Sequence, residues 1–220
     1  MKRSTWHGFV LSLISIAYCA CAQHPQDARE KAELIKYVDQ LSQPLVVNSR
    51  VAGMTVGVMR ENSILVSKAY GFADLEFNVP MPVDARFEIG SMTKQFTAVA
   101  VMQLVEKGLI RLDDNIGKFF SRNQVLAPVT VLQLLNHTSG IKQPELGNLL
   151  YQTIRRDTVL GLINSMDYQP ASAMLYSNIG YNILGLLIEK VSGMSYDDYL
   201  KKNIFDKAGM TNTYLSDLYT

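Results

Sequence analysis

The chain has 220 residues, 48% hydrophobic and 19% charged, with a formal net charge of +1. This composition excludes the charge-rich profile of a disordered chain and the long apolar runs of a membrane bundle, and it leaves no broad basic footprint for nucleic acid. The length suits one domain, or two lobes sharing one chain.

Met1-Lys2-Arg3 is a short basic start, and Phe9 to Ala22 is apolar and small. Ala20-Cys21-Ala22 has the small-residue pattern of a cleavage site, so residues 1–22 are expected to be a signal peptide with Gln23 as the mature start. The apolar run is shorter than the roughly 20 residues that span a bilayer, so no membrane span is expected after cleavage. Both cysteines, Cys19 and Cys21, lie in this segment. Neither has a good lipidation context, so cleavage is expected rather than a lipid anchor. The mature chain then has no thiol for a disulfide or a metal. Lys2 and Arg3 leave with the segment, which turns the net charge of +1 into −1. Only His24 and His137 remain of the three histidines, too few for a histidine-based metal site, and no metal or organic cofactor is expected.

Asp27 to Leu41 predicts an amphipathic helix, with Ala28, Ala32, Ile35 and Val38 on one face. Met54–Arg60 and Ile64–Tyr70 are rich in Val, Ile and Thr and predict a hairpin around Glu61-Asn62-Ser63, with Gly71 ending it. Pro80 and Pro82 mark a loop. Thr93 to Lys107 is apolar nearly all round, the pattern of a helix buried on every face, with Gly108 as its stop. Short helices are predicted at Thr130–Asn136 and Thr158–Asn164, and a longer apolar one at Ile179–Val191 closed by Gly193. Ser195-Tyr196-Asp197-Asp198 has the form of a capping box opening a last helix to Phe205. A helix, a hairpin and a run of helices make an α+β chain. A two-stranded hairpin is marginal by itself, and no clear further strand follows it.

The first chemistry-bearing pattern is Ser91-Met92-Thr93-Lys94. A serine hydroxyl is a weak nucleophile until a base takes its proton. If Ser91 opens the apolar helix, Lys94 lies one turn on and on the same side, and the helix N-terminus supplies N–H groups suited to an oxyanion. The plain alternative is that Ser91 is only a helix cap. Ser139-Gly140-Ile141-Lys142 repeats the spacing, but it sits in a turn with no helix after it. The second pattern is Tyr176-Ser177-Asn178, opening the helix at 179. A tyrosine oxygen can pass a proton and an asparagine amide can hold a carbonyl; the plain alternative is a buried tyrosine beside a cap. His137 beside Thr138 and Ser139 suggests a triad, but it reads better as a residue of a structural turn.

Together these residues resemble the serine β-lactamase and penicillin-binding protein family, in its class C-like branch. Tyr70-Gly71-Phe72-Ala73-Asp74, Phe87 to Lys94, Lys107 to Asp114, Val131 to Gly140 and Tyr176 to Thr213 carry the resemblance, which runs from Val51 to Thr213. It implies an α+β, β-lactamase/transpeptidase-like fold: an antiparallel sheet with a helical lobe at about 91–205, in a serine hydrolase domain over 23–220. It implies that Ser91 is acylated with Lys94 as its base, that Tyr176 shuttles a proton to and from the leaving group and helps activate water, and that Asn178 binds the substrate amide or ester. The N–H of Ser91 would form half of the oxyanion hole. Substrates would be a β-lactam, a D-alanyl peptide or an ester, small molecule or peptide, in a bacterial periplasm or the medium. The oligomeric state is open.

The family carries a third element, Lys/His-x-Gly on a strand near the C-terminus. Lys207-Ala208-Gly209 has the residues but follows a helix end, so it is not that element. The final strands are therefore expected to be missing from this chain, leaving an incomplete domain with little activity. A penicillin-binding or sensor-type protein without turnover is the alternative.

Overall fold

The computed structural model describes residues 25–121, 125–141 and 173–215. The signal peptide expected at 1–22, the helix expected at Thr158–Asn164 and Lys142 of the second serine–lysine pair lie outside them. The chain divides into two compact units, with the boundary between Arg86 and Phe87.

The first unit packs helix α1 (Pro25–Val47) on strand β2 of a three-stranded antiparallel sheet. The sheet consists of β1 (Gly53–Arg60), β2 (Ser63–Asp74) and β3 (Val79–Pro80), in that order. Val38 of α1 and Val66 of β2 are its buried apolar residues. Asp39 ties the two layers together. Its Oδ1 accepts from Lys68 Nζ at 2.5 Å and from Tyr70 OH at 2.6 Å. Those bonds, Lys68's first, hold the Asp39 carboxyl below its ordinary range.

Four differences from the sequence expectation in this unit have a clear local cause. Helix α1 runs past Leu41 and through Pro44. Proline gives up only its own N–H so close to the end, and Asn48, Ser49 and Arg50 close the terminus with bonds to the Pro44, Val46 and Leu45 carbonyls. The hairpin turn is Glu61-Asn62, since Ser63 pairs with Arg60. Gly71 does not end the hairpin. At φ +73 it carries β2 onward, and an added Cβ would strike the Ala52 carbonyl and the Val46 side chain. Finally, Pro80 belongs to a short edge strand rather than a loop. An edge tolerates the missing N–H, and the Met81 N–H bonds the Gly71 carbonyl at 2.9 Å beside it.

The second unit is helical. A 3₁₀ turn (Gly90–Met92) runs directly into α2 (Thr93–Glu106). Then follow α3 (Val131–Leu135), α4 (Asn178–Ser192) and α5 (Tyr196–Leu200), the last continued by a π-helical turn, Lys201–Phe205. Local chemistry sets these ends. Thr130 and Gln133 form a reciprocal capping box at α3. Ser195 caps α5 by accepting from the Asp198 N–H. Gly108 and Gly193, at φ +68 and +70, close α2 and α4.

The core joins α2, α4 and α5. Ala100, Val101 and Leu104 pack with Ile183, Leu184, Leu187 and Ile188, and with Tyr199 and Phe205. Phe96 meets Phe205 edge-on at 5.2 Å, and the Thr97 and Tyr196 hydroxyls share a 2.6 Å bond. Helix α2 is not buried on every face as expected. Thr97, Ala100, Val101 and Leu104 form the buried stripe, at the i, i+3, i+4, i+7 spacing of one helix face, while Val99 and Met102 are 45% and 46% exposed.

Candidate active site

Gly90, at φ +51, turns the chain into the 3₁₀ turn that holds Ser91. The Met92 N–H returns to the Ile89 carbonyl at 3.1 Å, and α2 begins at the next residue. Ser91 thus stands just ahead of the helix, and Lys94 follows one turn later. Its Nζ donates to Ser91 Oγ at 3.2 Å.

Tyr176 and Asn178 arrive from 84–85 residues away. Ser177 is extended, at φ −138 and ψ 118, and caps α4 by accepting from the Gly180 N–H at 3.3 Å. Side chains alternate along an extended segment, so Ser177 is buried while Tyr176 is 45% exposed. The Tyr176 hydroxyl lies 2.6 Å from Ser91 Oγ. Asn178, the first residue of α4, accepts from Lys94 Nζ at 2.7 Å. All four residues singled out in the sequence therefore meet at one place. Lys94 is the hub: it donates to Ser91 and Asn178 and lies 4.8 Å from the Tyr176 ring centroid and 5.5 Å from that of Tyr181.

The charge of Lys94 organises the electrostatics. Its hydrogen bond, followed by that of Ser91, holds the Tyr176 hydroxyl below the ordinary tyrosine value. Burial, helped by the nearby Tyr176, pushes Tyr181 up. Burial first, then the charge of Lys94, pushes His137 below its ordinary value of about 6.5.

Tyr181 of this cluster escaped the sequence reading, and His137 was read only as a turn residue. Tyr181 shares a face with Asn178 one turn on, and its hydroxyl donates to the Leu135 carbonyl at 3.0 Å. The i, i+3 spacing was the only local sign of it. His137 sits in the turn expected for it, at φ +61, with its ring 4.5 Å from that of Tyr176 and 5.1 Å from that of Tyr181. Ser139 is 2% exposed and its Oγ accepts from the Ile141 N–H, the place of a turn serine. Lys207-Ala208-Gly209 lies in a turn, with Gly209 at φ +67.

A family model described as Beta-lactamase matches residues 36–218. The chain belongs to the beta-lactamase family. Penicillin-binding protein 4* of Bacillus subtilis (strain 168) is 34% identical over 72% of this beta-lactamase family chain and 37% of its own length. The D-amino acid amidase from Ochrobactrum anthropi SV3, solved with L-phenylalanine, superposes with TM-score 0.75 at 27% identity, over 84% of this chain and 53% of the amidase. The octameric penicillin-binding protein homologue from Pyrococcus abyssi gives TM-score 0.66 at 29% identity, over 84% and 44%. The fold is β-lactamase/transpeptidase-like. The chain spans 37% of the length of its first curated relative and about half of these two solved ones. Among the described residues, no helix is long and apolar enough to cross a membrane.

Proposed function

We propose that this chain carries the nucleophile of a serine hydrolase that works through an acyl-enzyme on Ser91. The observation that supports this most is the 2.6 Å contact between Ser91 Oγ and the Tyr176 hydroxyl, with Lys94 donating to the same oxygen. An amine that donates to Oγ leaves Tyr176 as the acceptor for the serine proton. The cation beside Tyr176 favours its ionised form. In this reading the base is the Tyr176–Lys94 pair, where the sequence suggested Lys94 by itself.

The steps balance. The Ser91 proton moves to the Tyr176 oxygen as Oγ bonds the acyl carbon. The C–N or C–O bond then breaks, and the leaving group takes that proton from Tyr176. Water repeats the sequence: it gives its proton to Tyr176, attacks the acyl carbon and releases Ser91, which regains the proton. The N–H of Ser91, at the N-terminal end of α2, serves the oxyanion. Asn178 fixes Lys94 and offers its amide N–H₂ to the substrate carbonyl.

The substrate class is an acyl donor with an amide, ester or β-lactam bond. Relatives that are a penicillin-binding protein and a D-amino acid amidase support amides next to a D-centre. The expected export segment at 1–22 would place this chemistry outside the cytoplasm. Turnover of a penicillin, a D-alanyl amide and an activated ester by the wild type and by Ser91→Ala tests the reading. Hydrolysis lost in the variant supports it, and equal hydrolysis by both proteins contradicts it. An adduct that persists without product release would mark a sensor-type binder instead.

A further inference from the structure

We infer that His137 is the positioning residue for Tyr176 and that it works only as the neutral imidazole, so that the site is switched off by acid. This inference rests on the acyl-enzyme reading above and extends it to the regulation of the same site.

His137 grips the chain on both sides of Tyr176. Its carbonyl accepts from the Leu175 N–H at 2.7 Å, and its Nδ1 accepts from the Ser177 N–H at 3.2 Å. Between those two bonds its ring stacks on the Tyr176 ring at 4.5 Å and a tilt of 32°. Three contacts from one residue thus fix the backbone before and after the tyrosine and the plane of its ring. The segment they hold is the one that starts α4 and presents Tyr176 and Asn178 to Ser91 and Lys94. His137 bonds Leu134, Leu175 and Ser177 and stacks on Tyr176 and Tyr181, while it is the Tyr176 hydroxyl that meets Ser91 Oγ, so His137 acts through Tyr176.

The hydrogen bond also sets the protonation state. A ring nitrogen that accepts from an amide N–H carries no hydrogen, so the proton of neutral His137 is on Nε2; this tautomer is assigned from the bond partner. Protonation at Nδ1 would turn a donor against the Ser177 N–H and release one side of the grip. The titratable groups against the ring are Lys94 from α2 and Tyr176 and Tyr181 at the other chain segment; α3, which leads into His137, carries none. An imidazolium there would face the Lys94 cation. The left-handed backbone at φ +61 narrows the useful substitutions. Asparagine tolerates it and places an acceptor close to where Nδ1 stands, but does not titrate.

The test measures single-turnover acylation by an activated ester, from about pH 5 to 8, for wild type, His137→Asn, His137→Ala and Ser91→Ala. The expected ratio of the His137→Asn rate to the wild-type rate is constant above about pH 6.5 and rises toward about tenfold per pH unit on the acid side. His137→Ala is expected to lose about tenfold or more throughout, with asparagine restoring most of it. A ratio independent of pH would overturn the inference. Labelling that survives Ser91→Ala would instead overturn the underlying reading. Nitrogen NMR of the His137 ring decides the matter without any turnover. An unprotonated Nδ1 at pH 7.5, with the Ser177 amide shifting as the ring titrates, is expected; a protonated Nδ1 would refute the grip.

Discussion

Replacing Tyr176 by phenylalanine separates the proposed base from everything around it. The change removes one hydroxyl and keeps the ring, so the 4.5 Å stacking on His137 and the 4.8 Å approach of Lys94 both survive. Tyr176 is 45% exposed, so water replaces the lost partner of Ser91 Oγ and no buried polar atom is orphaned. The stability loss should stay below about 1 kcal/mol, the net worth of one ordinary hydrogen bond. The rate should fall far more. A positioned general acid–base is worth about 10²–10⁴, which at about 1.4 kcal/mol per tenfold corresponds to about 3–6 kcal/mol of barrier. Rapid mixing with an activated ester reads the acylation rate, and a thermal melt on the same samples reads the fold. An acylation rate within about threefold of wild type, with an unchanged melt, would refute the tyrosine's role and return the base to Lys94 by itself.

Other consequences reach the scaffold. Leu187 is fully buried in the core between α2, α4 and α5, so Leu187→Ala should cost about 2–5 kcal/mol in chemical denaturation. Gly71→Ala meets both the left-handed backbone and the Ala52 carbonyl, and should cost at least about 1 kcal/mol, measured the same way. His137 should also make stability depend on pH. Its pKa is depressed in the native state, so its contribution is complete above about pH 6.5 and is lost as the pH falls through the native value. The Asp39, Asp113 and Asp114 carboxyls are also held low, but they lose their contributions only at more acid pH. Urea midpoints at pH 7.5 and 5 should therefore separate further for wild type than for His137→Asn.

What was legible in the sequence follows the range of the interaction. Ser91 and Lys94 are one helical turn apart, so their meeting is a local matter of α2 and could be read from spacing. Helix stops at Gly108 and Gly193 and the cap at Ser195 are equally local. Tyr176 and Asn178 could be singled out as a pattern, but they reach Ser91 and Lys94 across more than 80 residues and no periodicity reports such a contact; only the resemblance to a family joined them to Ser91. Tyr181, and the link from the turn residue His137 to Tyr176, escaped because stacking and a bond from a ring nitrogen to a backbone amide leave no pattern in the chain. Gly71 and Pro80 misled for the opposite reason. Each is a punctuation residue by propensity, but here one allows a close backbone approach and the other closes a sheet edge. The exposed Val99 and Met102 show that an apolar helix pattern does not by itself tell which face is covered.

Covalent acylation of Ser91 is the step on which the proposed chemistry stands. The most direct measurement is the intact mass of the chain after incubation with a penicillin and with an activated ester, followed by peptide mapping, beside Ser91→Ala. A single adduct of the acyl mass is expected on the peptide containing Ser91, absent from the variant. An adduct elsewhere, or one of equal yield in Ser91→Ala, would contradict it.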